Sequence, residues 1–155
     1  MFIRRFEECD AQAVSDLIIS TLRTTNRKDY PEEYLENIIK HMQPDDITDR
    51  AEAQHFYVVE ENDSLLGCGS IGPYRGREDE SCLFTVFVHP DHQGRGIGRQ
   101  IIETLEQDNF FLRAERVEIP ASITGVPFYL KMGYSFKDGV TAPDEEQLLR
   151  MEKLH

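Results

Sequence analysis

Thr85-Val86-Phe87-Val88-His89-Pro90-Asp91-His92-Gln93-Gly94-Arg95-Gly96-Ile97-Gly98-Arg99-Gln100-Ile101-Ile102 carries more structural information than any other stretch of the chain. An apolar strand enters a turn marked by Pro90 and crosses three glycines at alternate positions. It then opens into a helix with Ile97, Ile101, Ile102 and Leu105 along one face. Glycine has no Cβ, so the backbone can turn sharply and bring its N–H groups close to a ligand. The first helical turn adds unpaired N–H groups and the positive end of the helix dipole, about half an elementary charge. Strand, glycine turn and helix start together make an anion site, with phosphate the usual guest.

Spacing narrows the choice of phosphate compound. The pattern G-x-x-x-x-G-K-[ST] is absent, and G-x-G-x-x-G begun at Gly94 meets Arg99 where its third glycine belongs. Glu118 does stand about twenty residues on, where a dinucleotide fold places a ribose-binding acid, so that reading is weakened and not removed. The pattern that fits without a gap is Q/R-x-x-G-x-G/A, here Gln93 to Gly98. It resembles the pyrophosphate motif of the GNAT superfamily, the acyl-CoA-dependent N-acyltransferases. The flanking strand, Val88-His89-Pro90 and the amphipathic helix strengthen the resemblance. A glycine-rich turn that binds nothing is the bland alternative.

The resemblance implies that Gln93, Gly94, Arg95, Gly96, Ile97, Gly98 and Arg99 form the CoA-binding turn, with its backbone N–H groups holding the pyrophosphate. It places the backbone of Phe87 and Val88 beside the pantetheine arm, with the Val88 N–H able to polarise the thioester carbonyl. A second segment, Phe128-Tyr129-Leu130-Lys131-Met132-Gly133-Tyr134, is similar to the family's F-Y-x-x-x-G-F/Y signature. In the family the tyrosine at the position of Tyr129 protonates the departing thiolate. That transfer is nearly balanced, since a thiol has a pKa near 8.5 and a phenol near 10. A core aromatic on an amphipathic helix is the alternative role for Tyr129. Seven residues earlier, where many relatives carry an asparagine that bonds pantetheine, this chain has Ser122.

A general base is harder to find. Some relatives use a glutamate on the strand before the glycine turn, at the position of Cys82; Glu80 lies two residues earlier and so on the same face. Glu80 is the candidate base, with a solvated strand-end acid beside Glu78 and Asp79 as the alternative. Cys82 as a nucleophile needs a lowered pKa and an orienting base such as His89 or His92; an inert buried thiol is the simpler reading. His89-x-x-His92 has no third ligand nearby and makes a poor metal site, so no metal is expected. Asp144-Glu145-Glu146 and the Arg27 to Glu33 loop with Tyr30 would flank the acceptor side, where an acidic loop could select a cationic amine or serve only as a solvated charge run.

Composition sets the outer limits. A chain of 155 residues is expected to form one domain over 1–155. A net charge of −12 supplies no basic footprint for nucleic acid or anionic lipid, so neither is an expected partner. The N-terminus turns charged at once and no long apolar run follows, so neither a signal peptide nor a membrane span is expected. Cys9, Cys68 and Cys82 are odd in number and far apart, which points to a reducing, cytoplasmic setting.

Periodicity and turn residues predict strands at Phe2–Arg5, His55–Glu60, Leu65–Ile71, Glu80–Val88, Val117–Ile119, Tyr134–Phe136 and Leu148–Leu154. Helices are expected from Asp10, from Pro31, from Ile97 to near Asn109, and over Thr124–Met132; Gln43–Ala53 reads as loop. The result is an α/β (α+β) fold, a mixed and mostly antiparallel seven-stranded sheet flanked by four helices, in the order β-α-α-β-β-β-α-β-α-β-β. That order is similar to the GNAT fold over essentially the whole chain. The resemblance therefore implies an acetyl-CoA-dependent N-acetyltransferase, a cytoplasmic enzyme acting on a small-molecule or protein amine, with a homodimer compatible. A non-catalytic acyl-CoA-binding regulatory module is the alternative.

Overall fold

A computed structural model describes residues 1–155. Seven strands form one sheet: β1 (Phe2–Arg5), β2 (His55–Glu61), β3 (Ser64–Pro73), β4 (Glu80–Val88), β5 (Arg116–Ser122), β6 (Ser135–Phe136) and β7 (Leu148–Leu154), in the spatial order β1-β2-β3-β4-β5-β7-β6. Every neighbouring pair is antiparallel except β4 and β5. The glycine turn lies in that parallel crossover.

Helices cover both faces. On one side α1 (Ala11–Thr24), α2 (Glu32–Ile39) and α3 (Pro44–Ala53) bury Val14, Leu17, Ile18, Leu35 and Ile47 with Phe56, Val58 and Cys68 of the sheet. On the other, α4 (Ile97–Leu105), α5 (Asn109–Leu112) and α6 (Val126–Lys131) pack Ile97, Ile101, Ile102 and Leu105 against Leu66, Ile71, Leu83, Val117 and Met151. Each fully buried aliphatic side chain contributes about 1.5–3 kcal/mol of transfer free energy. No helix is long and apolar enough to cross a membrane.

The helix count corrects the expectation of four to six. Gln43–Ala53 is not loop: Pro44 opens α3, and the Asp46 carboxylate accepts the Gln43 N–H at 2.9 Å in a capping box. Among its residues only Ile47 is fully buried, so the apolar stripe that reveals a helix in sequence is nearly absent. The expected helix ending near Asn109 stops at Leu105. Asp108 then caps the separate short α5, its Oδ1 accepting the Phe110 N–H at 2.8 Å.

Two irregularities of β4 shape the site. The register with β3 slips between Cys68 and Ser70, and Thr85 takes a left-handed φ of 49°, unusual for a β-branched residue. The bulge is held by Thr85 Oγ1 and Ser70 Oγ, 2.7 Å apart. On the other edge, β4 and β5 pair over only three rungs, Glu80↔Arg116, Ser81↔Val117 and Cys82↔Glu118. Beyond them the strands part, and Leu83–Val88 faces Ile119–Ser122 across a gap.

Candidate active site

The gap opens into a cavity of about 990 Å³. Phe87 and Val88 of β4, Ser122 at the end of β5 and Tyr129 of α6 all line it. The glycine turn contributes Gln93, Gly94, Gly96, Ile97, Gly98 and Arg99. Within Gln93–Arg99, Arg95 alone stays outside, its guanidinium held by Glu61 at 3.0 Å and by His92 Nδ1 at 3.0 Å.

Backbone conformation explains the turn. Gly94 and Gly96 both adopt φ of 79°, a left-handed region that costs an L-residue about 1–2 kcal/mol. A Cβ at either would meet no protein atom within 4 Å, so the space over the turn is open to a ligand. Gly96 is also the N-cap of α4 and offers no side chain to its free N–H groups. Gly98 has a different reason: a Cβ there would stand 3.1 Å from the Phe128 ring, which packs α6 against the start of α4.

Val88 turns its polar backbone into the gap. The His89 N–H donates to the Leu66 carbonyl, so by antiparallel alternation Val88, opposite Gly67, sits in a non-hydrogen-bonded pair. Its N–H and C=O then point away from β3. The carbonyl accepts from Gln93 Nε2 at 2.8 Å and from Thr21 Oγ1 at 3.3 Å.

Tyr129 is 6% exposed, and burial pushes its phenol well above the usual range. Ser122 is occupied as a cap, its Oγ accepting the Gly125 N–H at 3.1 Å. Two residues on, Thr124 Oγ1 is buried at the cavity wall with no partner, an orphan that sequence reading missed. Glu80 lies at the far end of β4, 3.5 Å from Arg77 and 3.6 Å from Arg116, and does not line the cavity. The structure therefore does not bring Glu80 and Tyr129 together. Cys82 is buried, its thiol pushed up to about 12 by burial and further by Glu118, which is an inert thiol and no nucleophile. His89 Nδ1 accepts the Asp91 N–H within its own turn.

The opposite end of the cavity is built from distant segments. Tyr30 and Tyr34 stack with ring centroids 4.7 Å apart. The Tyr30 hydroxyl donates to the Gln147 carbonyl at 2.7 Å and accepts the Ile123 N–H at 2.8 Å; the Tyr34 hydroxyl donates to the Glu146 carbonyl. Burial raises both phenols, Tyr34 to about 12. Asp144 and Glu146 of the acidic loop share one cation, Arg150. Asp144 accepts the N–H groups of Glu146 and Leu148 and pairs with Arg150 at 2.9 Å, which hold its carboxyl low although partial burial opposes this. Glu146 also meets Arg150, at 3.3 Å.

Where β4 and β5 part, Glu118 is fully buried. Its Oε1 accepts from Arg116 and from Lys137 at 3.0 Å, while Oε2 has no hydrogen bond and lies 3.8 Å from Arg150. This acid closes the apex of the gap and does not reach the glycine turn, which removes the dinucleotide role. Sequence spacing gave no sign of this cluster.

Comparison with known proteins agrees with this geometry. The pattern of the Acetyltransferase (GNAT) domain family matches residues 26–155. Over 50 residues the chain is 40% identical to the L-amino acid N-acyltransferase MnaT of Escherichia coli (strain K12), a stretch covering 31% of this chain and 29% of that protein. Over another match of 50 residues it is 42% identical to the glucosamine 6-phosphate N-acetyltransferase of Schizosaccharomyces pombe, covering 32% of this chain and 45% of that one. The chain thus spans well under two thirds of either relative. The crystal structure of PaiA N-acetyltransferase from Thermoplasma acidophilum in complex with coenzyme A superposes with a TM-score of 0.84, at 18% identity, over 99% of this chain and 98% of that one; at that identity the match speaks for the fold alone.

Proposed function

Because the chain belongs to the GNAT acetyltransferase family, we propose that it transfers an acetyl group from acetyl-CoA to a primary amine by direct attack in a ternary complex. The observation that carries this reading is the meeting of the glycine turn, the inward-facing Val88 backbone and Tyr129 in one cavity. The residues fit such a donor. The open face over Gly94 and Gly96 leaves room for a pyrophosphate on the N–H groups of α4. Thr124 Oγ1 lacks a partner where a pantetheine amide could supply one. The E. coli and S. pombe relatives act, by their names, on an amino acid and an amino sugar phosphate, and both acceptors are amines. The cytoplasm is the proposed setting.

In the reaction the neutral amine nitrogen attacks the thioester carbonyl, whose oxygen takes a hydrogen bond from the Val88 N–H. The C–S bond breaks, Tyr129 gives its proton to the sulfur, the surplus ammonium proton passes to solvent, and the Tyr129 phenolate regains a proton from solvent. The raised Tyr129 phenol is not an obstacle, because the same burial lifts a thiol. Burial raises the thiols of Cys68 and Cys82 in the same direction as the Tyr129 phenol. A thiolate desolvated in the closed ternary complex would rise with the phenol, which would keep the transfer close to balance. Holding both substrates in one cavity supplies the proximity term, about 7–11 kcal/mol in favourable intramolecular cases.

One observation favours a second reading, an acyl-CoA sensor without catalysis. Glu146 is the one carboxylate lining the cavity, and Arg150 already holds it. The test is thiol release from acetyl-CoA over a panel of amines. Amine-dependent release supports the enzyme; tight CoA binding without release for any amine supports the sensor. Radiolabelled acetyl retained on the protein without amine would contradict direct attack.

A further inference from the structure

The acceptor end of the cavity holds a cation with nothing to neutralise it. Arg50 of α3 is half-buried and lines the cavity, yet its guanidinium makes no hydrogen bond or ion pair in the protein. Arg150, the other guanidinium at that end, is taken by Asp144 and Glu146. Asp46, one turn before Arg50, is spent on the Gln43 N–H.

Packing fixes where along the cavity Arg50 stands. The Gln54 N–H donates to the Arg50 carbonyl at 2.9 Å, so Gln54 is one helical turn further on. Gln54 Oε1 accepts from Ser70 Oγ at 2.7 Å, and Ser70 pairs with Phe84 on β4. Gln54 therefore stands at the Phe84 end of the strand, and the Arg50 backbone is one helical turn, about 5 Å, from it. The glycine turn begins beyond Val88, four residues later and about 13 Å away at strand rise. The cations beside the turn are Arg99 and Lys131. The Arg50 backbone thus stands nearer the Phe84 end than the turn, which has Arg99 closer to hand.

Resting on the acyltransferase reading, we propose that the acceptor is an amine carrying an anionic group, a carboxylate or a phosphate, and that Arg50 binds that group while the amine faces the thioester. The chemistry is specific. A guanidinium offers paired N–H donors in a plane that matches two oxygens of either anion. A protein with a net charge of −12 repels anions at long range, so an anionic substrate needs a local cation to seat it. Ile38 and Met42 line the same end and give the body of the acceptor an apolar wall.

The test uses the CoA-bound protein and two matched pairs, L-phenylalanine with L-phenylalaninamide and O-phosphoethanolamine with ethanolamine, read by calorimetric Kd. The anionic member of at least one pair should bind about tenfold to a hundredfold tighter than its neutral twin, the usual strength of a charge-assisted contact. Which pair responds distinguishes carboxylate from phosphate. Arg50→Gln should bring the ratio near one while leaving the CoA Kd unchanged, and Arg50→Lys should keep part of it. No preference in either pair, or one that survives in R50Q, overturns the proposal. Failure of CoA itself to bind counts against the acyltransferase reading, and the same pairs measured without CoA then still judge Arg50.

Discussion

The two ends of the cavity are built on different principles. The glycine turn is made of backbone: Gly94 and Gly96 with left-handed φ, and the first N–H groups of α4, all within one short stretch. The other end joins three distant stretches of chain through side chains, by Tyr30 to Gln147 and Ile123, Tyr34 to Glu146, and Arg150 to Asp144 and Glu118. A backbone site is fixed by local conformation and tolerates changes elsewhere. A side-chain site changes its chemistry with any one of its contributors, which suits a part whose task is to choose an acceptor.

The contrast predicts where substitution acts on stability and where on chemistry. The largest effect should come at the apex, where Glu118→Ala takes the shared acid from Arg116, Lys137 and Arg150, although Arg116 keeps Glu80 and Glu152. Loss of one partner from a buried charge cluster costs about 3–5 kcal/mol, to be read from urea unfolding midpoints. A loss under 1 kcal/mol would mean that the cluster is solvated and the acceptor end less rigid than its distances imply.

Tyr129→Phe should lower kcat about a hundredfold, the lower range for a lost proton donor, with CoA affinity unchanged. Its pH dependence sharpens the point. Because the phenol is raised by burial, the protonated form persists above the ordinary tyrosine range, so kcat should not fall as pH passes 10. A decline centred near 10 would assign the proton to an exposed group. At the acceptor end, Tyr30→Phe removes the hydroxyl that joins Gln147 and Ile123; about 1–2 kcal/mol of stability and a raised acceptor KM are expected, with the KM for acetyl-CoA unmoved. The smallest effect is at Gly98→Ala, whose methyl presses on the movable Phe128 ring. About 1 kcal/mol, at the low end of overpacking costs, should appear as a lower thermal midpoint.

The same contrast accounts for what could be read without the structure. Gln93 to Gly98 and Phe128 to Tyr134 were legible because glycine spacing and local aromatic pattern specify backbone conformation directly. The seven strands along the chain follow from period and turn residues. Helix α3 was hidden because Ile47 is its single fully buried residue and the capping box of Gln43 and Asp46 sat in a polar stretch. The bulge at Thr85 left no trace either, since a left-handed threonine is dictated by its partner Ser70 and by the sheet, not by its own preference. Arg50, Thr124 and the Glu118 cluster are tertiary meetings of residues far apart in the chain, and no spacing rule anticipates them. Glu80 stands on the expected strand, and Arg77 and Arg116 hold it at the end away from the cavity.

The central claim is that the turn between β4 and α4 holds CoA. Thermal unfolding in parallel with CoA, acetyl-CoA, NADH and ATP tests it most directly. At about a hundred times its Kd a ligand adds about 2.7 kcal/mol, which for a domain of this size raises Tm by about 5–10 °C. The account predicts that shift for CoA and acetyl-CoA, and none of that size for NADH or ATP. No response to either CoA form, or a response to NADH in their place, would contradict it.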